Sequence, residues 1–405
     1  MTQGIHAPPH PRSSHQRRYD IDALRVFAFG LLIFYHVGMF YASDWHWHVK
    51  SQYSSEVLQR VMLMVNPWRM PLIFLVSGFA SYFLLRKLGR NGFARSRVWR
   101  LLLPLLFGMV VIVPPQAYLQ AVANGGFEGH YGEFLWRYLT LQSWPPKAFD
   151  GSDIGVTWNH LWYLPYLLTY SLILSLLAPF LRRPIGRGLV QGFQNLGGWQ
   201  LFVVPVLLFV VYDFLLYDRF PATYAWHNDW HSHAVYFTAF ILGYVMATAD
   251  RLWRELQRLR WPAIVLAVST YLLYFHVEVH EFLPTSVNRA GRRLLSNYNG
   301  WFWLLAVLGW AHHLLNRPFS WLPYATEAVF SWYILHQTIT IVAGVALTKY
   351  QLGPAVEPLL VVLATVIGCA AIHEFAIRRW RLLRPLFGLK SMPAGETNFV
   401  QHRPI

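Results

Sequence analysis

Cysteine is almost absent from this sequence, which contains only Cys369. A single thiol can form neither an intramolecular disulfide nor a thiolate metal site. Cys369 also lies in an apolar run from 361 to 371, so we interpret it as a small buried hydrophobic residue. The sequence therefore indicates no disulfide framework and no cysteine chemistry.

Charge is also scarce. Charged residues make up 13% of the 405 residues, against about 25% in a typical soluble domain. Apolar types reach 55% and aromatic types 17%, which excludes a disordered chain, a collagen-like fibre and a coiled coil. The net charge of +15 alone does not indicate a nucleic-acid-binding protein, which would be richer in charge. The composition predicts a chain whose main partner is the lipid bilayer, with no nucleic-acid partner.

Ten stretches are apolar enough to cross a membrane as helices of about 20 residues. We therefore predict an all-α, polytopic bundle of about ten transmembrane helices over residues 19–385. A flexible tail, 1–18, precedes it and a second tail, 386–405, follows it. Basic residues precede the first span, but no A-x-A cleavage site follows it, so we interpret this span as a retained signal anchor. The predicted spans are 24–43, 69–86, 101–122, 159–180, 199–217, 233–249, 261–277, 298–315, 325–347 and 355–377.

The positions of Lys and Arg predict the orientation, since cytoplasmic loops retain positive charge. With ten spans, 23 of the 34 basic residues fall on the side that holds both termini, and ten fall on the opposite side. The remaining one, Arg25, lies inside the first span. We therefore predict that both termini are cytoplasmic.

An ionisable side chain inside a span is costly and is a functional candidate. Arg25 and His36 are eleven residues apart, which on a helix puts them on nearly the same face and about 16.5 Å apart along the axis. Asp22 is one turn before Arg25 and is predicted to pair with it. The alternatives are a snorkelling interfacial arginine and a core histidine bonded to a neighbouring helix.

Arg97 and Arg100 precede the leucine-rich start of the third span. Residues three apart share a helix face, so the two guanidinium groups are predicted to point the same way, a geometry suited to phosphates. The alternative is a cluster of positive charge that only anchors the helix on the cytoplasmic side.

Several further polar residues lie at span ends or within spans. Gly78 has a purely structural alternative, because a glycine permits close packing of helices. The histidine pairs 46/48 and 231/233 have a metal-like spacing, but no third ligand is fixed nearby, so we predict no metal site. The remaining candidates are Ser77, His160, Trp162, Tyr163, Tyr333, His336 and Glu374.

The order of these motifs along the chain resembles acyltransferase family 3, polytopic enzymes that acylate extracytoplasmic glycans. The likeness begins at 19–25 and 34–36 and extends over nearly the whole chain; within the family, 47–51 and the Arg-x-x-Arg segment are most like a glucan-modifying branch. The matching segments are Tyr19-Asp20-Ile21-Asp22-Ala23-Leu24-Arg25, Phe34-Tyr35-His36, Arg69-Met70-Pro71, Ser77-Gly78-Phe79, Arg97-x-x-Arg100, His160-Leu161-Trp162-Tyr163 and Tyr333-Ile334-Leu335-His336.

The resemblance implies roles for individual residues. Arg25 and His36 match the family's arginine–ten residues–histidine motif, and Arg97 and Arg100 match a motif implicated in handling the acyl donor. The implied donor is acyl-CoA, a substrate, with no bound cofactor. Two features depart from the family: Val26 stands where many members have glycine, and no soluble esterase-like domain follows the tenth span.

The resulting hypothesis is transfer of an acetyl or succinyl group from cytoplasmic acyl-CoA, across a bacterial inner membrane, to a hydroxyl of a periplasmic glycan. His36 would act as general base, although a covalent acyl carrier is the other possibility that the sequence leaves open. The rival hypothesis is a transporter or flippase of a glycan or lipid-linked saccharide, which is expected to contain paired broken helices. Aromatic and acidic residues at 123–157 and 217–231 suit a sugar, but interfacial aromatic belts have the same composition.

Overall fold

A computed structural model describes residues 17–279 and 284–391, and within these ranges the chain forms helices and no β-strand beyond one isolated bridge between Ala42 and Ser55. The α-helices are α1 (Tyr19–Tyr41), α2 (Glu56–Phe107), α3 (Pro114–Ala123), α4 (Tyr131–Leu139), α5 (Tyr163–Leu181), α6 (Pro184–Gln194), α7 (Trp199–Leu216), α8 (Trp230–Met246), α9 (Asp250–Arg258), α10 (Arg260–Val279), α11 (Thr285–Leu315), α12 (Leu322–Thr348), α13 (Val356–Ala371) and α14 (Leu383–Leu386).

The prediction of a polytopic helical membrane protein is confirmed. In the described ranges, seven helices are long and apolar enough to span a membrane, and α8 with α9 makes an eighth if this pair, bent by 109°, is one span. The predicted span 298–315 lies in α11, which is not among those seven and begins earlier, with a polar segment that contains Arg289, Arg292 and Arg293. The tails 1–16 and 392–405 lie outside the described residues, and the proposed domain limits remain predictions.

Two predicted spans are joined in one long helix. Spans 69–86 and 101–122 both include parts of α2, which is interrupted at Gly89. This residue has φ 68° and ψ 177°, a conformation that glycine adopts at no steric cost because it has no Cβ. Beyond α2 the chain continues through a π-helical turn, Gly108–Ile112, into α3. The helical axis thus changes inside the segment that carries Ser77 and Arg97.

Segments predicted to be cytoplasmic contact one another. At the start of α1, Asp20 accepts a hydrogen bond from His312 near the end of α11 (2.7 Å), and the Arg18 guanidinium lies 4.1 Å from the ring centroid of Trp253 in α9. All three segments belong to the side predicted to carry most of the positive charge. Their contacts agree with the predicted alternation of the helices.

The ends predicted to face outward also meet one another. The hydroxyls of Tyr41, Ser51 and Thr348 donate to the same oxygen of Glu357, at 3.2, 2.7 and 3.1 Å. These residues come from the end of α1, the following loop, the end of α12 and the start of α13. The structure therefore separates two sets of helix ends, as the charge pattern predicts.

Two glycines bring α2 and α8 into backbone contact. A methyl group on Gly78 would overlap the carbonyl oxygen of Phe240, and one on Gly243 would overlap the carbonyl oxygen of Leu75. Small residues are common where membrane helices approach this closely, because packing rather than hydrophobicity drives their association. The structural alternative for Gly78 is therefore confirmed.

We expect Gly78→Ala to destabilise the fold by about 1–3 kcal/mol or to prevent folding, since the added carbon has no space against backbone. Thermal unfolding of the detergent-solubilised protein and its yield as a monodisperse species measure the effect. Gly30→Ala in α1 is the matched control, because a methyl group there has no atom within 4 Å. Equal stability of the two variants would contradict the close contact.

Candidate functional site

One face of α1 forms a wall of the candidate site. Phe29, Leu32 and His36 of this helix line a small cavity. Arg25 precedes Phe29 by four residues, so the spacing 25, 29, 32, 36 follows one helix face. The sequence prediction that Arg25 and His36 share a face is confirmed, because both side chains bond to α12, at Thr326 and His336.

The cavity brings together five of the predicted site residues from distant parts of the chain. They come from α1, from a 3-10 turn, Asn159–Trp162, and from the helices α5 and α12 that follow in sequence. Arg69, Met70 and Ile73 of α2 complete the lining with the two apolar α1 residues. The predicted residues in the lining are His36, His160, Trp162, Tyr163 and Tyr333.

A chain of hydrogen bonds fixes the tautomers of two histidines. Nδ1 of His336 lies 2.7 Å from the carbonyl oxygen of Tyr333 and must donate, because a carbonyl can only accept. A neutral His336 therefore presents a lone pair at Nε2, which lies 2.7 Å from Nδ1 of His36. Nδ1 of His36 must then carry the proton. Within the part of the chain that the structure describes, no hydrogen bond uses Nε2 of His36, and its lone pair remains free.

The two imidazoles are nearly coplanar and meet edge to edge, as a hydrogen bond between ring nitrogens requires. Their ring centroids are 4.9 Å apart and their planes differ by 6°. His336 is almost fully buried, whereas His36 is partly accessible. The indole of Trp47, from the loop after α1, lies on His36 with ring centroids 5.3 Å apart. His36 is thus oriented from two sides, with its free nitrogen available as a base.

His160 is locked against α12 by two reciprocal bonds. Its Nε2 donates to the carbonyl oxygen of Ile334 (3.0 Å), and the hydroxyl of Tyr333 donates to the carbonyl oxygen of His160 (2.7 Å). Its Nδ1 can therefore accept from the amide of Gln116, at 3.4 Å. The ring is 5.2 Å from that of His336 and perpendicular to it. His160 therefore holds the part of α12 that carries His336.

A second chain of polar groups connects the cavity with an arginine of the second predicted motif. The Tyr163 hydroxyl lies 2.5 Å from Oγ of Ser77. Ser81 lies one helical turn after Ser77, and its hydroxyl donates to the carbonyl oxygen of Ser77 (2.7 Å). Arg97 donates to Oγ of Ser81 at 2.6 Å. This last bond crosses the interruption of α2 at Gly89. Arg97, Ser77 and Tyr163 are therefore parts of one network.

The predicted pairing of Asp22 with Arg25 is wrong. Asp22 forms its ion pair with Arg17, at 2.8 Å, whereas Arg25 donates to the carbonyl oxygen of Thr326 at the start of α12 (3.4 Å). The Nε of Arg25 is buried and has no partner within the described residues. A neighbouring helix competes successfully with the local carboxylate because α1 packs directly on α12.

Two other predicted residues lie away from the cavity. Arg100 is exposed, whereas Arg97 is partly buried and bonded to Ser81, and the joint orientation of their guanidinium groups stays a prediction. Glu374 pairs with Arg378 at 2.9 Å and accepts from Tyr324 at 3.4 Å. Neither Arg100 nor Glu374 lines the cavity.

Sequence reasoning did not assign three further residues to this site: Arg69, Gln116 and His48, the last of which was considered only as a metal ligand. Arg69 is part of a recognised motif but was not assigned to the site, although it lines the cavity. Gln116 is fully buried and joins α3 to α12 through Thr338 (2.6 Å). His48 is 6% exposed, and neither ring nitrogen has a hydrogen-bond partner among the described residues. The signal for Gln116 was available, since a glutamine inside an apolar span requires partners.

The two histidine pairs are placed differently. His46 and His48 both lie beside Asp150, at 3.2 and 3.8 Å. His231 lies 3.2 Å from Asp213, whereas His233 bonds to the hydroxyl of Tyr170 (3.0 Å) and the carbonyl oxygen of Trp226 (2.7 Å). Over residues 17–279 and 284–391, no group of three or more histidine, cysteine or carboxylate side chains is arranged to hold a metal ion.

Within a bundle of membrane helices, the site places the partly accessible imidazole of His36 beside the guanidinium of Arg69. Hydrogen bonds through Tyr163, Ser77 and Ser81 connect the cavity with Arg97. These features define a polytopic membrane enzyme. Residues 18–374 match the acyltransferase domain of acyltransferase family 3, so the chain belongs to this family and is a membrane O-acyltransferase.

Curated relatives agree with this assignment. The chain is 23% identical over 353 residues to the glucans biosynthesis protein C of Escherichia coli strain K12, and equally to those of strains O81 and O157:H7. Each alignment covers 83% of this chain and 85% of the relative. No solved structure matches this chain.

We expect His336→Phe to lower the turnover number by about 10²-fold or more, because it removes the acceptor that selects the tautomer of His36 while retaining an aromatic ring. Initial rates of acyl transfer by purified protein measure the effect. Combining it with His36→Ala should produce little further loss, since both act through one base. Independent, multiplicative losses would contradict the hydrogen-bonded pair.

Proposed function

We propose that this protein transfers an acyl group, acetyl or succinyl, from acyl-CoA on the cytoplasmic side of the bacterial inner membrane to a hydroxyl of a periplasmic glucan. The observation that carries the proposal is the free Nε2 lone pair of His36 at the wall of the cavity. Its neighbour His336 fixes the tautomer that a general base requires.

The chemistry needs one base that later acts as an acid. The glucan hydroxyl oxygen attacks the thioester carbonyl carbon while Nε2 of His36 takes the hydroxyl proton. The tetrahedral intermediate then collapses, the carbon–sulfur bond breaks, and the imidazolium returns the proton to the sulfur of CoA. General acid–base catalysis of this kind typically contributes about 10²–10⁴-fold. The alternative, an acyl group carried covalently by His36, uses the same nitrogen.

The arginines support a donor that approaches from the cytoplasmic side. Arg97 and Arg100 lie toward the end of α2, and a guanidinium binds phosphate oxygens through paired hydrogen bonds. We propose that Arg97 and the exposed Arg100 hold phosphates of CoA, while the pantetheine arm extends past Ser77 and Tyr163 toward His36. Arg25 would add positive charge along the path of the pantetheine arm. The proposed reaction uses acyl-CoA as a substrate and needs no bound cofactor.

Aromatic rings on the opposite side support a saccharide acceptor. Trp162 lines the cavity, and Tyr224 from the loop before α8 lies 4.6 Å from it between ring centroids. Trp226 of the same loop is 45% exposed. Stacked aromatic faces suit the apolar side of a sugar ring. The choice of a glucan comes from the name of the curated relatives.

A glycan transporter is the second candidate. The bent pair α8 and α9, at 109°, is the observation that favours it, because broken helices form the substrate sites of many transporters. A transporter would move unmodified glucan and would need neither acyl-CoA nor a basic imidazole. The experiment below therefore distinguishes the two functions.

We expect membranes that contain the protein to move radiolabelled acetyl or succinyl from CoA to glucan, and His36→Ala to reduce the rate by at least about 10²-fold. The matched control is His313→Ala, which removes an exposed histidine in the last turn of α11 that does not line the cavity. Transport of unlabelled glucan without any acylation would favour the transporter. Full activity of His36→Ala would exclude this residue as base or acyl carrier.

We expect Arg97→Gln to raise the KM for acyl-CoA about 10-fold or more, since one charge-assisted phosphate contact is lost. Arg100→Gln should raise the same constant less, because Arg100 is exposed and screened by solvent. The KM for glucan should remain unchanged in both variants. An effect on glucan alone would contradict the assignment of these arginines to the donor.

A further inference from the structure

Arg69 is a cation without a counter-ion at the wall of the cavity. It lines this cavity together with His36, Tyr163 and Tyr333. Arg69 forms no ion pair with any residue that the structure describes. Its Nε is buried and has no hydrogen-bond partner there either.

The guanidinium of Arg69 is nevertheless held firmly. It lies 3.6 Å from the ring centroid of Tyr35, and one of its terminal nitrogens donates to Oδ1 of Asn66 at 3.3 Å. The Tyr35 hydroxyl donates to the same Asn66 oxygen at 2.9 Å, which fixes the ring beneath the cation. A contact between a cation and an aromatic face stabilises the charge less than water does, so it does not replace a counter-ion.

An unpaired, fixed cation in an apolar bundle is expected to meet an anion. Charged groups inside a membrane protein are paired or functional. Arg69 lines the cavity, and no carboxylate of the described residues lies within ion-pair distance of it. A negatively charged substrate group that enters the cavity would therefore be its counter-ion.

We propose that Arg69 binds a negatively charged oxygen of the acyl group while that group is beside His36. The inference rests on the proposed acyl transfer. When the acceptor oxygen attacks, the carbonyl π electrons move onto the carbonyl oxygen, and they return when the bond to sulfur breaks. A fixed guanidinium stabilises that transient charge without reorganising at the moment of reaction.

The negatively charged oxygen that Arg69 binds has two potential sources in the donor. A dicarboxylic acyl group, such as succinyl, carries a permanent carboxylate that would bind the same guanidinium in the ground state. Stabilisation of the transient oxyanion affects turnover with every donor. Binding of a permanent carboxylate affects only donors that have one. Turnover and KM with two donors therefore distinguish the sources.

The test compares Arg69→Met and Arg69→Lys with the unaltered protein in membranes, with acetyl-CoA and succinyl-CoA as donors and glucan as acceptor. We expect Arg69→Met to lose about 10²–10³-fold in turnover, the usual cost of one oxyanion donor. Arg69→Lys keeps the charge but not the planar fork, so it should retain part of the activity. The KM for glucan and the thermal stability should change little.

The matched control is Arg60→Met, which removes another arginine of α2 that is paired with Glu56 and does not line the cavity. Equal losses with both donors support the carbonyl oxygen, and a loss confined to succinyl-CoA supports the carboxylate. An Arg69→Met protein as active as the Arg60→Met protein overturns the inference. If the unaltered protein transfers neither group, the proposed function itself is wrong.

If Arg69→Met does not fold, Arg69→Lys decides the question. A folded Lys variant with unchanged turnover and KM for both donors excludes a specific role for the guanidinium fork. Partial turnover at unchanged stability supports it. Thermal unfolding, measured alongside, separates loss of catalysis from loss of fold.

Discussion

The structure depends on one constraint: a polar group inside a membrane must find its partner within the protein. The pair formed by His36 and His336 shows how this constraint builds a site. His336 donates a hydrogen bond to the backbone carbonyl of Tyr333 in its own helix. His36 donates a hydrogen bond to His336. Among the described residues, the last nitrogen in the series, Nε2 of His36, has no hydrogen-bond partner. Each hydrogen bond fixes the donor and acceptor of the next. The carbonyl oxygen of Tyr333 therefore determines, through His336, which nitrogen of His36 carries a lone pair.

The same constraint explains which sequence predictions succeeded. Relations along one helix were predictable, because helix geometry fixes them: Arg25 and His36 share a face, and Gly78 allows close packing. Relations between helices were not predictable. The partner of His36 is 300 residues away, and Arg25 bonds to Thr326 rather than to nearby Asp22. A sequence shows which face of a helix is special but not which helix lies opposite.

Membership of the family was predictable for a related reason. The motifs keep their order, and each is a short segment whose residues can be compared directly with those of relatives. Arg69 was part of such a segment, yet its place in the wall of a cavity formed with α1, α5 and α12 is seen only in the fold. A motif can single out a residue in the sequence, but only the structure shows which residues surround it.

The segment Ser77-Gly78-Phe79 illustrates what a contiguous motif represents. Successive helical residues point about 100° apart, so three neighbours in sequence face three different surroundings. Ser77 bonds to Tyr163, Gly78 touches the backbone of Phe240, and Phe79 packs edge-on against Trp253. This segment of three residues therefore meets three separate structural requirements: a polar contact, a vacant volume and a ring contact. A loss of function caused by changing one of its letters carries no information about the other two.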